Sequence, residues 1–430
     1  MEINLNNQQN SKKAHYGLKL GLILLLSLIL LIPRFLIQNL VDERQYTETS
    51  AAQEVFDKWS GEQRFIGPMI FLPRAEKNGT DLYLLPENHD VKCNVNTKTL
   101  KRGLFDFTVY ESVVELTGTF TLPNETNVAM LKEHACHKAE LLIGIQDLKG
   151  LTDNPKAVFD GATHTLSQSN KKLGNGNVLS ININMEKILE GGKVDFTITI
   201  PIKGSERISF IPVGRTSTAK ITSNCSTPSF DGNYLPTHRN VTDKGFEADW
   251  KILAINRSFP QVVNGAFSWE DLSGSEFGVT LKVPVEQYQQ TTRTIKYAFL
   301  IILLTFAVVF FVEIRKQTPI HPVQYLLIGI ALILFYTLLL SFSEHLTFGL
   351  SYAIAAVMTI GLITIYMGAL LKDKRTALTI GALLLALYIF IYVLLQLESY
   401  ALLIGSIGLF IILGIAMYAS QKIDWYKKRD

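Results

Sequence analysis

One long apolar stretch, from His321 to His345, limits what this sequence can fold into. Between Val323 and Ser341 its one strongly polar side chain is Gln324. At about 1.5 Å per residue, that length crosses a hydrocarbon core of about 30 Å. His321-Pro322 suits a helix start, because proline in the first turn loses no backbone hydrogen bond. The stretch therefore predicts a membrane-spanning helix.

Further apolar segments predict more helices of the same kind, and with them the sequence has six expected spans. The expected spans are 16–38, 297–312, 323–341, 348–371, 376–395 and 400–419. A cleaved signal peptide is the alternative for the first, but no small-x-small cleavage site follows its apolar core. We therefore expect an uncleaved anchor. Gly17 and Gly21 form a small-xxx-small pair that could seat another helix, but this pattern is common in membrane helices and is more often incidental.

The middle of the chain, from about residue 81 to residue 285, has the two-residue period of β-strands. Apolar and polar residues alternate over 179–185, 194–202 and 279–285, and turn residues such as Gly174-Asn175-Gly176-Asn177 separate the runs. The apolar run 64–73 is too short to span and predicts a buried strand, with a membrane-surface segment as the alternative. We expect a folded, mainly antiparallel β domain, and the sequence leaves open whether it is one sandwich or two smaller units.

Lys and Arg are distributed unevenly over the short loops between the predicted spans. They occur at 315–316, at 372–375 and after the last span, whereas the loops around 344–345 and 396–398 contain none. Because cytoplasmic loops carry the excess of Lys and Arg, both termini are expected in the cytoplasm and the β domain outside. The formal charge of +3 gives no reason to expect nucleic acid as a partner.

These patterns predict a polytopic α-helical membrane protein of six transmembrane helices, with a large, mainly antiparallel β extracytoplasmic domain inserted between helices 1 and 2. The predicted organisation is a cytoplasmic tail over 1–15, a transmembrane helix over 16–38, the extracytoplasmic domain over 39–295, a five-helix transmembrane domain over 296–420 and a second cytoplasmic tail over 421–430. A helix over about 40–60 is expected to continue the first span outward.

No sequence motif of a known catalytic or phosphate-binding type is present, and we predict no catalytic residue, cofactor or metal. The group His134 to His137 contains three potential metal ligands, but no second group at ligand spacing accompanies it. Cys93, Cys136 and Cys225 all fall in the β region, where an oxidising compartment would allow one disulfide, and the sequence does not choose the pair.

Glu344 and His345 are the one polar pair that we single out as a candidate functional site, at the outer membrane surface. The alternative is two hydrated residues that end a helix. The other ionisable residues of the spans, such as Glu313, are expected at span ends, which disfavours an ion-coupled transport pathway.

Several ordered tracts then resemble the CreD family of bacterial inner-membrane proteins. They are 286–290 with 294–298, 321–327, 339–345 with its Ser-Glu-His ending, and 423–426, together with 67–70 and 228–236 in the outer region. The resemblance spans nearly the whole chain. It implies a cell envelope integrity protein of the bacterial inner membrane, linked to envelope stress responses, to regulation by a two-component system and to colicin tolerance. It implies no established reaction and supplies no catalytic residues.

Three functions are consistent with this sequence. The first is a non-enzymatic inner-membrane protein whose periplasmic domain binds a partner protein, a lipid or a cell-wall component. The alternative is a transporter of a small molecule or lipid, which would need a polar cavity at mid-bilayer depth. The third is a periplasm-facing enzyme, which would need convergent polar groups in one cleft of the β domain. The lipid bilayer is the expected partner in each case, and the oligomeric state stays open.

Overall fold

The computed structural model describes residues 21–75, 80–126, 131–174, 176–265, 272–281, 286–397 and 400–421. The chain divides into two compact units. Met1–Glu48 together with Val285–Asp430 form one, which we call the helical unit, and Thr49–Pro284 form the other, which we call the β unit. Each unit is described by itself below.

The described chain contains six helices that are long and apolar enough to cross a membrane, as predicted. The first of them, Gly21–Trp59, consists of a helical segment over 21–29 and the helix that follows it, and a four-residue helix lies in the β unit. In chain order the helices are α1 (Leu31–Trp59), α2 (Glu186–Leu189), α3 (Glu286–Lys296), α4 (Ala298–Lys316), α5 (Pro322–Ser343), α6 (Phe348–Leu371), α7 (Lys374–Gln396) and α8 (Ala401–Gln421).

Local sequence explains where the helices of the helical unit begin. The ring nitrogen Nδ1 of His321 accepts a hydrogen bond from the Val323 backbone N–H, while the side chain of Gln324 accepts one from the His321 N–H at 2.8 Å. This reciprocal cap starts α5. The carboxylate of Asp373 caps α7 in a similar way by accepting from the Arg375 N–H at 3.0 Å. These caps satisfy backbone donors that the first helical turn leaves unpaired.

The β unit contains two sheets. In chain order the strands are β1 (Gln63–Leu72), β2 (Leu82–Leu84), β3 (Asn88–Arg102), β4 (Phe105–Phe120), β5 (Glu140–Ile145), β6 (Lys156–Phe159), β7 (Ala162–Thr165), β8 (Ser167–Leu173), β9 (Gly176–Asn182), β10 (Val194–Ser205), β11 (Arg207–Ile211), β12 (Thr216–Ser223), β13 (Ser229–Gly232), β14 (His238–Thr242), β15 (Gly245–Leu253), β16 (Val262–Asn264) and β17 (Phe277–Thr280). One sheet has the order β13-β17-β11-β1-β5-β9-β8, with β2 paired to β1 and β16 paired to β2. The other has the order β14-β15-β12-β3-β4-β10-β6-β7.

The pairing is mainly antiparallel, as predicted, with parallel pairs between β1 and β11 and between β3 and β12. Alternation explains how the sheets share a core. In β10, Phe196, Ile198 and Ile200 are buried while the residues between them are exposed or half-buried. Their side chains join those of β1 and β5 in one hydrophobic cluster. The sequence left open whether the β domain is one sandwich or two smaller units. Because the two sheets pack around a common core, the β unit is one sandwich.

Strand β1 lies inside its sheet and is buried on both faces. Phe65 and Ile70 pack into the cluster shared by the two sheets, whereas Ile66 and Phe71 pack into a second cluster on the opposite face. A strand with two apolar surroundings needs a continuous apolar sequence rather than an alternating one. The predicted buried strand over 64–73 is thus confirmed, and its membrane-surface alternative is wrong.

The structure bears on two expectations about the β unit. The strand predicted over 279–285 is assigned as β17, which ends at Thr280, and residues 282–285 lie outside the described ones. Cys93, Cys136 and Cys225 are all free thiols, so the disulfide that the sequence would allow is not formed. Cys93 is instead a buried core side chain, and burial raises the pKa of its thiol to about 12.

Candidate functional site

The predicted pair Glu344 and His345 lies where α5 ends. Glu344 caps the C-terminus of α5, and its carboxylate pairs with Arg44 of α1, with Nε and Oε1 3.2 Å apart. His345 is exposed, and its backbone N–H donates to the Phe342 carbonyl at 3.0 Å. The structure therefore joins Glu344 to a helix that sequence analysis did not associate with it.

A polar cleft in the β unit is a second candidate site. It lies where β1 begins, has a volume of about 260 Å³, and we call it the β1 cleft. The cleft is lined by Gly61, Glu62, Gln63, Arg64, Gln146, Asp147 and Ser209. None of these residues was singled out from the sequence. The one available signal was Arg64, a charged residue at the start of an otherwise apolar strand.

Hydrogen bonds fix the base of the β1 cleft. The Gln63 side chain is fully buried, and its Nε2 donates to Ser60 Oγ at 2.9 Å and to the Asp147 carbonyl at 3.0 Å. Asp147 Oδ2 accepts from Ser60 Oγ at 2.8 Å and from the Gly61 N–H at 3.1 Å. Desolvation alone would raise the pKa of Asp147, but the hydrogen bonds, led by that from Gly61, outweigh it and lower the pKa.

A charge network supports Arg64 on the side of the cleft. The Arg64 and Arg207 guanidinium groups contact opposite oxygens of the Glu276 carboxylate, at 3.0 and 2.9 Å respectively. Arg207 also pairs with Asp231 at 3.2 Å. The Glu276 side chain is only 7% exposed, so its charge is compensated by two cations rather than by water. This arrangement holds Arg64 in one position.

Arg64 and Glu62 bring opposite charges to the β1 cleft. Arg64 Nη1 donates to Gln146 Oε1 at 3.3 Å, which orients the amide of Gln146. Partial desolvation raises the pKa of Glu62, and the nearby Arg207 opposes that effect. A carboxylate, an amide and a guanidinium side by side can bind a ligand that both donates and accepts hydrogen bonds.

Polar groups inside the helical unit form short-range pairs. The Tyr325 hydroxyl of α5 donates to Glu313 Oε2 of α4 at 2.8 Å, and Glu313 is 6% exposed. The Tyr352 hydroxyl donates to the Tyr388 carbonyl at 2.8 Å. Sequence analysis placed Glu313 correctly near a span end but missed its burial, because the partner Tyr325 belongs to the next helix.

The His134 to His137 group does not assemble a metal site within the described ranges. The His134 ring lies 3.1 Å from the Thr80 carbonyl, measured from Nε2. Across the part of the chain that the structure describes, no three His, Cys, Asp or Glu side chains are grouped closely enough to hold an ion.

Comparison with known proteins gives one consistent result. The family described as "Inner membrane protein CreD" matches residues 15–426 of this sequence. A relative from Escherichia coli (strain K12), named "Inner membrane protein CreD", is 30% identical over 419 residues, which cover 93% of this chain and 91% of the relative. Both matches include the β unit as well as the helices, so the similarity is not limited to membrane-spanning composition.

Proposed function

The chain belongs to the CreD family of inner membrane proteins, and from that premise we propose that it is a non-enzymatic protein of cell envelope integrity that acts in the envelope stress response. With six apolar helices in its described residues, it is a multi-pass protein of the inner membrane. In this proposal the β unit faces the periplasm, and its β1 cleft binds a polar group of a partner protein or of another envelope component.

The β1 cleft is the observation that carries the proposal. Its polar side chains are held in place before any ligand arrives, since Gln63 and Asp147 share one hydrogen-bond network and Arg64 is fixed by Glu276. Binding to a preorganised site costs little ordering entropy. The Asp147 carboxylate accepts several hydrogen bonds and has a lowered pKa, which supports a binding role over proton transfer.

Helix directions in the helical unit support the proposed orientation. Leu30 contacts Gly329, and Arg44 contacts Glu344, so the first membrane helix and α5 run in the same direction. If the first membrane helix and α5 cross the membrane in the same direction, the chain must cross in the opposite direction once between them. The helix α4 provides that crossing. The Lys316 ammonium pairs with Asp373 at 2.6 Å, which brings the Lys- and Arg-containing loops after α4 and before α7 to one side. The distribution of Lys and Arg supports a cytoplasmic location for that side.

The binding proposal is tested by closing the β1 cleft. In cells that lack the native protein, we expect Gln146→Arg to abolish rescue of the envelope-stress phenotype at normal protein abundance. Asn240→Arg, on the exposed edge strand β14, is the matched control and should rescue fully. A photo-crosslinking amino acid at position 146 should capture a partner that the same residue at position 240 does not. Full rescue by Gln146→Arg would contradict the proposal.

The orientation is tested separately with reporters. A fusion within 372–375 should be active only as a cytoplasmic reporter, and an insertion at Gly174 only as an exported one. Cytoplasmic activity from the Gly174 insertion would overturn the proposed placement of the β unit.

Transport is the second candidate function, because two fully buried residues of the spans carry hydroxyls that lack a hydrogen-bond partner among the described residues, as does the half-buried Thr364. They are Thr305 Oγ1 in α4 and the Tyr388 hydroxyl in α7. Buried hydroxyls usually find a partner, and a water or substrate could supply it. Thr305→Val with Tyr388→Phe removes both while keeping the shapes. Loss of function in this double variant, with Gln146→Arg active, would favour transport.

A further inference from the structure

An apolar groove runs along the helical unit between residues 29–33 and α5. One wall consists of Ile29, Ile32 and Pro33, and the other includes Leu326, Ile330 and Leu334. Its volume of about 450 Å³ lies in the range of small-molecule sites, which is about 300–1,000 Å³. The groove is separate from the β1 cleft and does not depend on the function proposed there.

The sequence of the first membrane helix explains why the groove exists. Pro33 has no N–H, so it cannot donate to the Ile29 carbonyl one turn earlier, and its ring disturbs the helix at that point. The helix is interrupted at Leu30, between the segment over 21–29 and α1. Such a break changes the direction of a helix and prevents continuous packing against a straight neighbour.

The base of the groove is closed by a tight contact. Leu30 is only 3% exposed and lies so close to Gly329 of α5 that a Cβ added there would overlap Leu30 Cδ1. The walls, in contrast, are open: Ile32 is 62% exposed and Leu334 is 49% exposed. The two helices therefore touch at Leu30 and leave an apolar trough beside this contact.

The chemistry of the walls identifies the occupant. Helices that pack together in membranes approach through small residues such as Gly, Ala and Ser, or through polar residues that form hydrogen bonds. The trough is lined by Ile, Leu and Pro, and its nearest glycine, Gly329, is already covered by Leu30. Gly21, where a neighbouring helix would fit better, has open space around it and lies outside the trough. A flexible hydrocarbon chain fits such a lining.

We propose that a phospholipid acyl chain occupies this groove as an ordered part of the helical unit. The surrounding bilayer supplies the chain, because both walls belong to helices of membrane-spanning length and composition. The chain fills the space that Pro33 opens and so completes the packing of the first helix against α5.

The experiment uses the full-length protein in vesicles of bacterial phospholipid that contain a lipid with a diazirine in its acyl chain. After illumination, labelled peptides are mapped by mass spectrometry. We expect residues 29–33 and 326–334 to be labelled several-fold more than the exposed face of α8 around Leu402 and Phe410, which meets ordinary lipid. Labelling no greater than that of α8 would overturn the proposal.

A variant that fills the groove with a larger side chain provides a matched test. Ile330→Trp should reduce labelling of residues 29–33 several-fold and leave labelling of α8 unchanged, which also shows that the variant is inserted. Ile330→Leu should retain the wild-type pattern. If cysteines introduced at Ile32 and Leu334 instead form disulfides between two copies of the chain at high yield, a second copy occupies the groove and the proposal is wrong.

Discussion

Arg44 Nε lies 3.2 Å from Glu344 Oε1, and this ion pair connects α1 to the end of α5. The contact gives Glu344 a structural explanation that the sequence did not offer. It does not extend to His345, which is exposed beside it. The question whether Glu344 acts in function or in packing can therefore be tested through Arg44.

We expect Glu344→Gln to lower thermal stability of the detergent-solubilised protein slightly. The two side chains are 49% and 15% exposed, and pairs of this kind contribute about 0.2–1 kcal/mol. Arg44→Glu combined with Glu344→Arg should restore stability, and His345→Gln should leave it unchanged. Loss of envelope function in Glu344→Gln that the exchanged pair fails to restore would instead favour the functional pair.

The sequence predicted the helices and strands more accurately than it predicted the contacts between them. A bilayer fixes the length and composition of its helices, so 348–371 could be located from apolar residues alone and agrees with α6. Alternation located β10, and the run starting at Arg64 located β1, because each pattern is local. The β1 cleft could not be found in this way. Its residues come from segments far apart in the chain, and only the pairing of β1 with β5 brings Arg64 beside Gln146.

We expect substitution of Gly329 in α5 by a larger residue to destabilise the helical unit strongly. Gly329→Val would force its new atoms into Leu30 and towards Phe306, and overpacking of this kind costs about 1–3 kcal/mol. Thermal unfolding in detergent measures the loss.

Two variants control for the effect at Gly329. Gly361→Val in α6 introduces the same side chain where a Cβ meets nothing within 4 Å, and it should be nearly neutral. Leu30→Ala should partly restore the stability of Gly329→Val by vacating the space. If Gly361→Val is equally harmful, the cost comes from the residue type in a helix and not from the Leu30 contact.

Arg257 holds together one end of the β unit. Its guanidinium is buried and donates to the carbonyls of Pro212, Val213 and Gly214, and its Nε donates to the Phe259 carbonyl at 3.1 Å. Burial lowers the pKa of Arg257 to about 10, so the group still carries its charge at neutral pH. The buried cation is compensated by carbonyl dipoles in place of a carboxylate.

We expect Arg257→Met to reduce the free energy of unfolding of the β unit by at least about 4 kcal/mol, because it removes the donor of four buried carbonyls and each such loss costs about 1–3 kcal/mol. Pulse proteolysis of the full-length protein in urea measures the change. Lys251→Met on the exposed side of β15 removes the same charge and should have little effect. Equal loss in both variants would show that net charge, and not the carbonyl contacts, determines stability.

We expect His89 to make the β unit sensitive to acid. The side chain is 2% exposed, and neither ring nitrogen has a hydrogen-bond partner among the described residues. It lies in β3 opposite Gly118 of β4 and Ser217 of β12. Burial, with the charge of Arg257 adding to it, lowers the pKa of His89 from 6.5 to about 3. The folded state therefore keeps the imidazole neutral at a pH where the unfolded chain protonates it.

The sign of the pH dependence follows from that difference. Above pH 6.5 His89 is neutral in both states and contributes no slope. As the pH falls from 6.5 towards 3, the unfolded state binds a proton that the folded state does not, so stability declines by up to about 1.4 kcal/mol per pH unit. His89→Phe cannot bind that proton, and we expect its stability to decline less steeply over the same interval. Comparing the two slopes by pulse proteolysis of the full-length proteins cancels the contribution of the carboxylates that both share. Parallel slopes would show that His89 gains a proton without unfolding, and that the acid sensitivity of the β unit comes from other groups.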